Sequence, residues 1–155
     1  MSKICCFTGH RSLPKGKVRK IYSKTCETIR ELVNEGYTDF RTGGAVGYDT
    51  LAATCVLQMK KEFPQIKLHL ILPCENQEKN FKEFSKKAYL YILNHADSTT
   101  YVCKHYFDGV MAVRNRALVN GADTCVACLT KLRGGTFQTV NMARRAKVKV
   151  INVAI

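Results

Sequence analysis

The 155-residue chain has no long apolar run: nothing approaches the ~20 consecutive apolar residues that a membrane-spanning helix needs. A secretory pattern is missing too. The N-terminal apolar stretch, Ile4 to Phe7, is too short for a signal peptide, and no cleavage pattern follows it. A cytosolic location is the expectation. Proline is scarce, found only at positions 14, 64 and 73, each near an expected element boundary. No internal repeat, low-complexity tract or Pro/Ser-rich linker divides the chain. Residues 1–155 therefore read as one domain, long enough to bury a proper core.

Acidic side chains are also few. Lys and Arg number 25 against 12 Asp and Glu, a formal charge of +13. Residues 1–24 and 124–155 contain no acid at all. Such a surplus favours anionic partners, whether nucleotides, nucleic acid or acidic surfaces, without choosing among them.

What is present is globular: 46% hydrophobic and 24% charged residues. Eight cysteines lie mostly in apolar stretches and read as reduced thiols that behave as small hydrophobes. Cys125-x-x-Cys128 falls on an expected strand, where residues three apart point to opposite faces. Two thiolates that diverge cannot share a metal, so the pair reads as core and no metal site is expected.

Strand and helix patterns alternate along the whole chain. Strands are expected at Lys3–Thr8, Thr38–Thr42, Lys67–Leu72, Ser98–Cys103, Asp123–Leu129 and Val148–Val153. Helical spacing covers Leu13–Asn34, with Ser12 as N-cap, then Gly47–Phe63, Gln77–His95, Val110–Asn120 and Thr136–Ala146. In Gln77–His95 the inward residues are expected to be Phe81, Phe84, Ala88, Tyr91 and Ile92. This order implies βαβ units: an α/β fold with a mostly parallel sheet and helices on both faces.

In an open parallel sheet, ligands bind beyond the carboxyl ends of the strands. The turns expected there are rich in Gly, Thr and Arg: Thr8-Gly9-His10-Arg11, Gly43-Gly44-Ala45-Val46-Gly47-Tyr48-Asp49 and Arg133-Gly134-Gly135-Thr136. Gly lets backbone amides approach an anion, a helix N-terminus adds unpaired N–H groups, and Thr adds hydroxyls. The three turns on one edge point to a phosphate-bearing ligand. Arg11 reads as a phosphate clamp through its bidentate fork. His10 reads as an acid/base group or a hydrogen-bonded turn residue. Asp49 reads as a ribose ligand or as a first-turn Asp that complements the helix dipole. Arg114 and Arg116 sit two apart on a helix and so point in different directions, one of them toward the cleft.

Phe7-Thr8-Gly9-His10-Arg11, Gly43-Gly44-Ala45-Val46-Gly47-Tyr48-Asp49, Arg114-Asn115-Arg116 and Gly134-Gly135-Thr136-x-x-Thr139 together resemble the SLOG superfamily. That superfamily joins the DNA-processing protein Smf/DprA and the LOG phosphoribohydrolases; the chain looks most like its YpsA-like branch. The resemblance spans nearly the whole chain. It implies a Rossmann-like fold, self-association as a homodimer or larger, and a nucleotide-type ligand, with no required cofactor. LOG enzymes cleave the N-glycosidic bond of nucleoside 5′-monophosphates and carry a Met-x-x-Arg segment and a Gly-Gly-x-Gly-Thr-x-x-Glu turn. Met111-Ala112-Val113-Arg114 matches the former. In the latter, Gly135-Thr136 matches, but the acid falls on Thr139, or on Gln138 if the register slips by one. Glycosidic cleavage passes through an oxocarbenium-like state that a carboxylate assists, which neither Gln nor Thr does well.

The expected ligand-binding set is therefore Thr8, Gly9, His10, Arg11, Gly43, Gly44, Gly47, Asp49, Arg114, Arg133, Gly134, Gly135, Thr136 and Thr139. The leading expectation is a domain that senses or sequesters a nucleotide-derived molecule such as an ADP-ribose-like one. A nucleotide N-glycosidase acting through Arg114, with Glu75 or Asp49 activating water, is the first alternative. A basic DNA- or RNA-binding module is the second.

Overall fold

The computed structural model describes residues 2–154. Its elements follow in chain order: β1 Lys3–Gly9, α1 Val18–Asn34, β2 Tyr37–Thr42, α2 Tyr48–Lys60, β3 Lys67–Leu72, a 3-10 turn Gln77–Asn80, α3 Glu83–His95, β4 Ser98–Tyr101, α4 Val110–Val119, β5 Thr124–Cys128, α5 Gly134–Arg145 and β6 Lys149–Asn152. The strands form one six-stranded sheet in the order β4-β3-β2-β1-β5-β6, and every pairing is parallel. This is a Rossmann-like α/β fold. The chain first winds outward from β1 to β4, then crosses back to place β5 on the other side of β1. The switch point, where a crevice must open, lies between β1 and β5.

Each face of the sheet has its own core, because alternate residues of a strand point opposite ways. Phe7, Phe40, Leu68, Leu70 and Val126 pack beneath α1, α2 and α3. Phe7 and Phe40 stack with ring centroids 6.1 Å apart. Cys6, Cys125 and Ile71 pack with Leu118 and Val119 of α4 and Ala143 of α5. Cys125 thus lies in one core and Cys128 in the other, as their strand spacing requires. All eight cysteines are free thiols. Among the described residues no helix is long and apolar enough to cross a membrane.

Two helices differ from their sequence patterns. The first begins at Val18, not near Leu13, and Ser12 does not cap it; Lys17 occupies the N-cap without a side-chain bond. The cause is local: Lys17 N–H donates to the Pro14 carbonyl, and Gly16 has φ +76°, so this stretch is a turn. The pattern at Gln77–His95 contains a break. Phe81 and Lys82 are extended between the 3-10 turn and α3, which resets the helical phase. Phe84 and Tyr91, expected inward, are therefore 86% and 58% exposed, while Tyr89 joins Ile92 in the core.

Candidate functional site

At the β1/β5 switch a cleft of about 350 Å³ opens beyond the strand ends. Its walls come from the end of β1 (Thr8, Gly9) and the loop after it (His10, Arg11), from Ala45 and Asp49 before and within α2, from Met111, Arg114, Asn115 and Leu118 of α4, and from Gly135 and Thr136 opening α5. The segments that follow β1, β2 and β5, each more than 30 residues from the next, are brought together because those strands are neighbours in the sheet, and α4 closes the fourth side.

The groups left unsatisfied here are electropositive. Helix α5 starts without a side-chain cap and has no acid in its first turn. Its leading N–H groups and the positive end of its dipole are uncompensated at Gly135 and Thr136. Arg11 is exposed; its guanidinium takes part in no hydrogen bond or ion pair among the described residues, although its charge acts on both Asp49 and Arg114. Thr8 contributes a mostly buried polar side chain to the same wall.

Several residues expected to grip a ligand are instead occupied in building the cleft. His10 Nε2 accepts from Thr130 N–H at 3.1 Å and Lys131 N–H at 3.3 Å, which ties the loop after β1 to the loop after β5. Burial, and then the Lys131 charge, lower its pKa, so the ring stays neutral and accepting. Arg114 is 6% exposed. It donates to the Gly43 carbonyl and, through Nε at 2.8 Å, to Asn115 Oδ1. Asp49 is 5% exposed and accepts from Ala45 N–H at 3.1 Å. Burial raises its pKa, opposed by the charge of Arg114, the Ala45 bond and the charge of Arg11. Arg114 and Asp49 together hold the Gly43–Ala45 turn from both sides. Arg116 faces solvent, as two-residue spacing on a helix dictates.

The glycines of that turn serve close packing. Gly44, at φ +75°, sits against the Leu72 side chain, and Gly47, at φ +84°, against the backbone carbonyls of His10 and Arg11. Neither lines the cleft; Ala45 does. Gly43 lies behind Arg114. Arg133 and Gly134 are exposed at the start of α5, outside the cleft lining. Thr139 is fully buried and bonds the Gly135 carbonyl at 2.8 Å, and Gln138 is exposed. Asp49 is thus the one carboxylate among the cleft's lining residues. Glu75 lies in a neighbouring cavity that shares Arg11 and Met111 with the first.

Asn115, Leu118 and Ala45 line the cleft although they carry no strong sequence signal; Asn115 is marked only by sitting between two arginines. A further cluster also escapes sequence reading. Asp39, His69 and Ser98, on β2, β3 and β4, form a line across the sheet, His69 bonding Asp39 at 2.7 Å and Ser98 at 2.6 Å. His69 lies directly opposite Ser98 in the register of β3 and β4, and Asp39, opposite Lys67, reaches it diagonally from β2.

Residues 5–149 match the family described as the YspA SLOG family. The chain belongs to that family. It is similar to the SPbeta prophage-derived protein YoqJ of Bacillus subtilis, 29% identical over 139 residues and covering 81% of each chain. Its fold is shared with DNA processing protein A (DprA) from Streptococcus pneumoniae, TM-score 0.68 at 15% identity, covering 96% of this chain and 49% of that one. DprA from Helicobacter pylori, described for its single-stranded DNA binding mode, gives TM-score 0.64 at 17% identity, with 96% and 63% covered. This SLOG chain therefore spans about half to two-thirds of these DprA chains.

Proposed function

We propose that the switch-point cleft binds a phosphorylated nucleotide or nucleotide-derived ligand. One observation carries this reading: the uncapped N-terminus of α5 and the unpaired Arg11 guanidinium meet across one cleft. A phosphate placed between them receives backbone N–H donors, a helix dipole worth roughly 0.3–1 kcal/mol and charge-assisted bonds worth about 1.5–3 kcal/mol each. Membership of the SLOG family is consistent with such a ligand.

The reading is binding rather than cleavage. N-glycosidic hydrolysis needs a carboxylate free to assist the developing cation or activate water. Burial disfavours the ionised form of Asp49 and the Ala45 amide engages one of its oxygens, Glu75 is exposed to solvent, and Thr139 is sealed in the core. A thermal-shift and calorimetric screen of nucleoside phosphates and ADP-ribose tests binding. Stabilisation of several degrees by at least one of them is expected; stabilisation by none overturns the reading. Release of free base from nucleoside monophosphates would overturn the restriction to binding.

A second reading, single-stranded nucleic acid, is favoured by the +13 charge and by exposed Tyr106 and Phe107 on the loop between β4 and α4. The likeness to the Helicobacter pylori DprA supports it further. It predicts salt-sensitive retention of short oligonucleotides. Self-association, implied by the SLOG resemblance, is measured by light scattering.

A further inference from the structure

Beside the phosphate cleft lies a second cavity of about 460 Å³, formed by the segments that follow β3 and β4. The two share Arg11 and Met111 as a common wall. Their chemistry differs. The first is built from a helix N-terminus, hydroxyls, two arginines and Asp49. The second presents the rings of Phe81 and Tyr106 beside the carboxamides of Asn76, Gln77 and Asn80, with Glu75, Lys79 and Lys104 also on its wall.

We propose that this second cavity is a base-recognition subsite, so that the ligand is two-part: a nucleoside whose base sits here and whose 5′-phosphate reaches past Arg11 to α5. The inference rests on the phosphate reading of the first cleft. Three observations carry it. First, Arg11 borders both cavities and makes no hydrogen bond to the protein, so its fork is free at the junction, where the anionic link of such a ligand must pass. Second, a carboxamide offers both a donor and an acceptor, which is what the edge of a nucleobase requires. Gln77 is only weakly engaged: its Nε2 stands 3.4 Å from both the Gly44 carbonyl and the Tyr89 hydroxyl. Asn80 is exposed and makes no hydrogen bond with its side chain. Third, the aromatic walls suit a planar ring. Phe81 is held edge-on to Tyr89, centroids 5.6 Å apart at 86°, which fixes its orientation. Tyr106 is 68% exposed, a large ring left in water at the cavity rim with no partner among the described aromatic contacts. Stacking a base on it removes that exposure.

The first cavity lacks these features. None of its lining residues is aromatic, and its carboxamide, Asn115, is already bonded to Arg114. A base placed there would find no stacking surface.

Calorimetry on the full chain tests the proposal with ribose 5-phosphate and with AMP, GMP, CMP and UMP as probes. At least one nucleotide is expected to bind about tenfold or more tightly than ribose 5-phosphate. Tyr106→Ala and Asn80→Ala, both at exposed positions, should each reduce that nucleotide's affinity about five- to tenfold and leave ribose 5-phosphate unchanged. Arg11→Ala should weaken both. If the four nucleotides and ribose 5-phosphate bind alike, or if Tyr106→Ala and Asn80→Ala leave the preference intact, the base lies elsewhere and the subsite is overturned while the phosphate reading stands. If none of the five probes binds, the phosphate reading falls and the subsite with it.

Discussion

Removing Arg114 separates a structural role from a ligand-binding one. In Arg114→Met the apolar stem is roughly kept and the guanidinium is lost. Asp49, 5% exposed, then loses the stronger of the two arginine charges that act on it, with Arg11 remaining, and the Gly43 carbonyl and Asn115 Oδ1 lose their donor. Losing a charged donor costs about 1.5–3 kcal/mol for each of these two buried hydrogen bonds, about 3–6 kcal/mol together. Asp49 keeps its bond from Ala45, which argues for the lower end of that range. For a domain of this length roughly 2–4 °C of melting temperature accompanies each kcal/mol, so a fall of about 6–15 °C is expected. The sign of the pH response follows from Asp49. Its folded pKa is already raised by burial, and Arg114 is the largest opposing influence. Without that arginine it rises further. A carboxyl that is harder to ionise when folded costs stability as pH climbs from its unfolded value through its folded one. The deficit of Arg114→Met should therefore shrink on moving from about pH 7 toward about pH 5. Replacing both residues, Arg114→Met with Asp49→Leu, should recover only the part of the loss that comes from the stranded Asp49 charge, since Gly43, Asn115 and Ala45 still lack their partners. Urea denaturation across pH, as a double-mutant cycle, reads all three quantities. A loss under about 1 kcal/mol together with strongly reduced nucleotide affinity would refute the structural assignment and return Arg114 to the ligand.

Gly44→Ala should destabilise by about 1–3 kcal/mol, through a positive φ and a clash with Leu72, while leaving the cleft lining unchanged; a shift in urea midpoint without a matching fall in affinity of the folded protein checks this. His10 has a depressed pKa, so its clamp is complete above about pH 6.5 and is lost as pH falls through the folded value; amide exchange at Thr130 and Lys131 should speed up on acidification, and His10→Ala should abolish that dependence. Thr139→Glu, which restores an acid at the position the LOG pattern implies, places a carboxylate in a fully buried site and should cost more than roughly 2 kcal/mol without creating base release, as melting and product assays would show. Ser98→Ala should change stability by less than about 1 kcal/mol despite its short bond to His69, because it sits on an exposed edge strand.

Much of the fold was legible because local signals agreed with the final topology. Runs such as Leu68–Leu72 and the turns at Gly36 and Gly121 mark element ends whatever the surroundings. The opposite facing of Cys125 and Cys128 follows from strand geometry alone. Where the reading slipped, a local break went unseen: Phe81 and Lys82 look helical by composition, and only their extended conformation shifts the inward face from Phe84 to Tyr89. The Asp39–His69–Ser98 line was invisible because its members are about 30 residues apart and meet only through strand register.

Alternating periodicities by themselves determined that this chain makes a parallel sheet, and that its Gly-rich turns gather on one edge. Only the tertiary structure decided which of those residues remain free. Arg11 and Arg114 look equivalent in sequence. One is left unpaired at the junction of two cavities, and the other is buried and bonded to a carbonyl 71 residues away. Burial and partner choice are properties of the packed chain: Arg114 spends two of its five donors on Gly43 and Asn115, whereas Arg11 spends none on the protein.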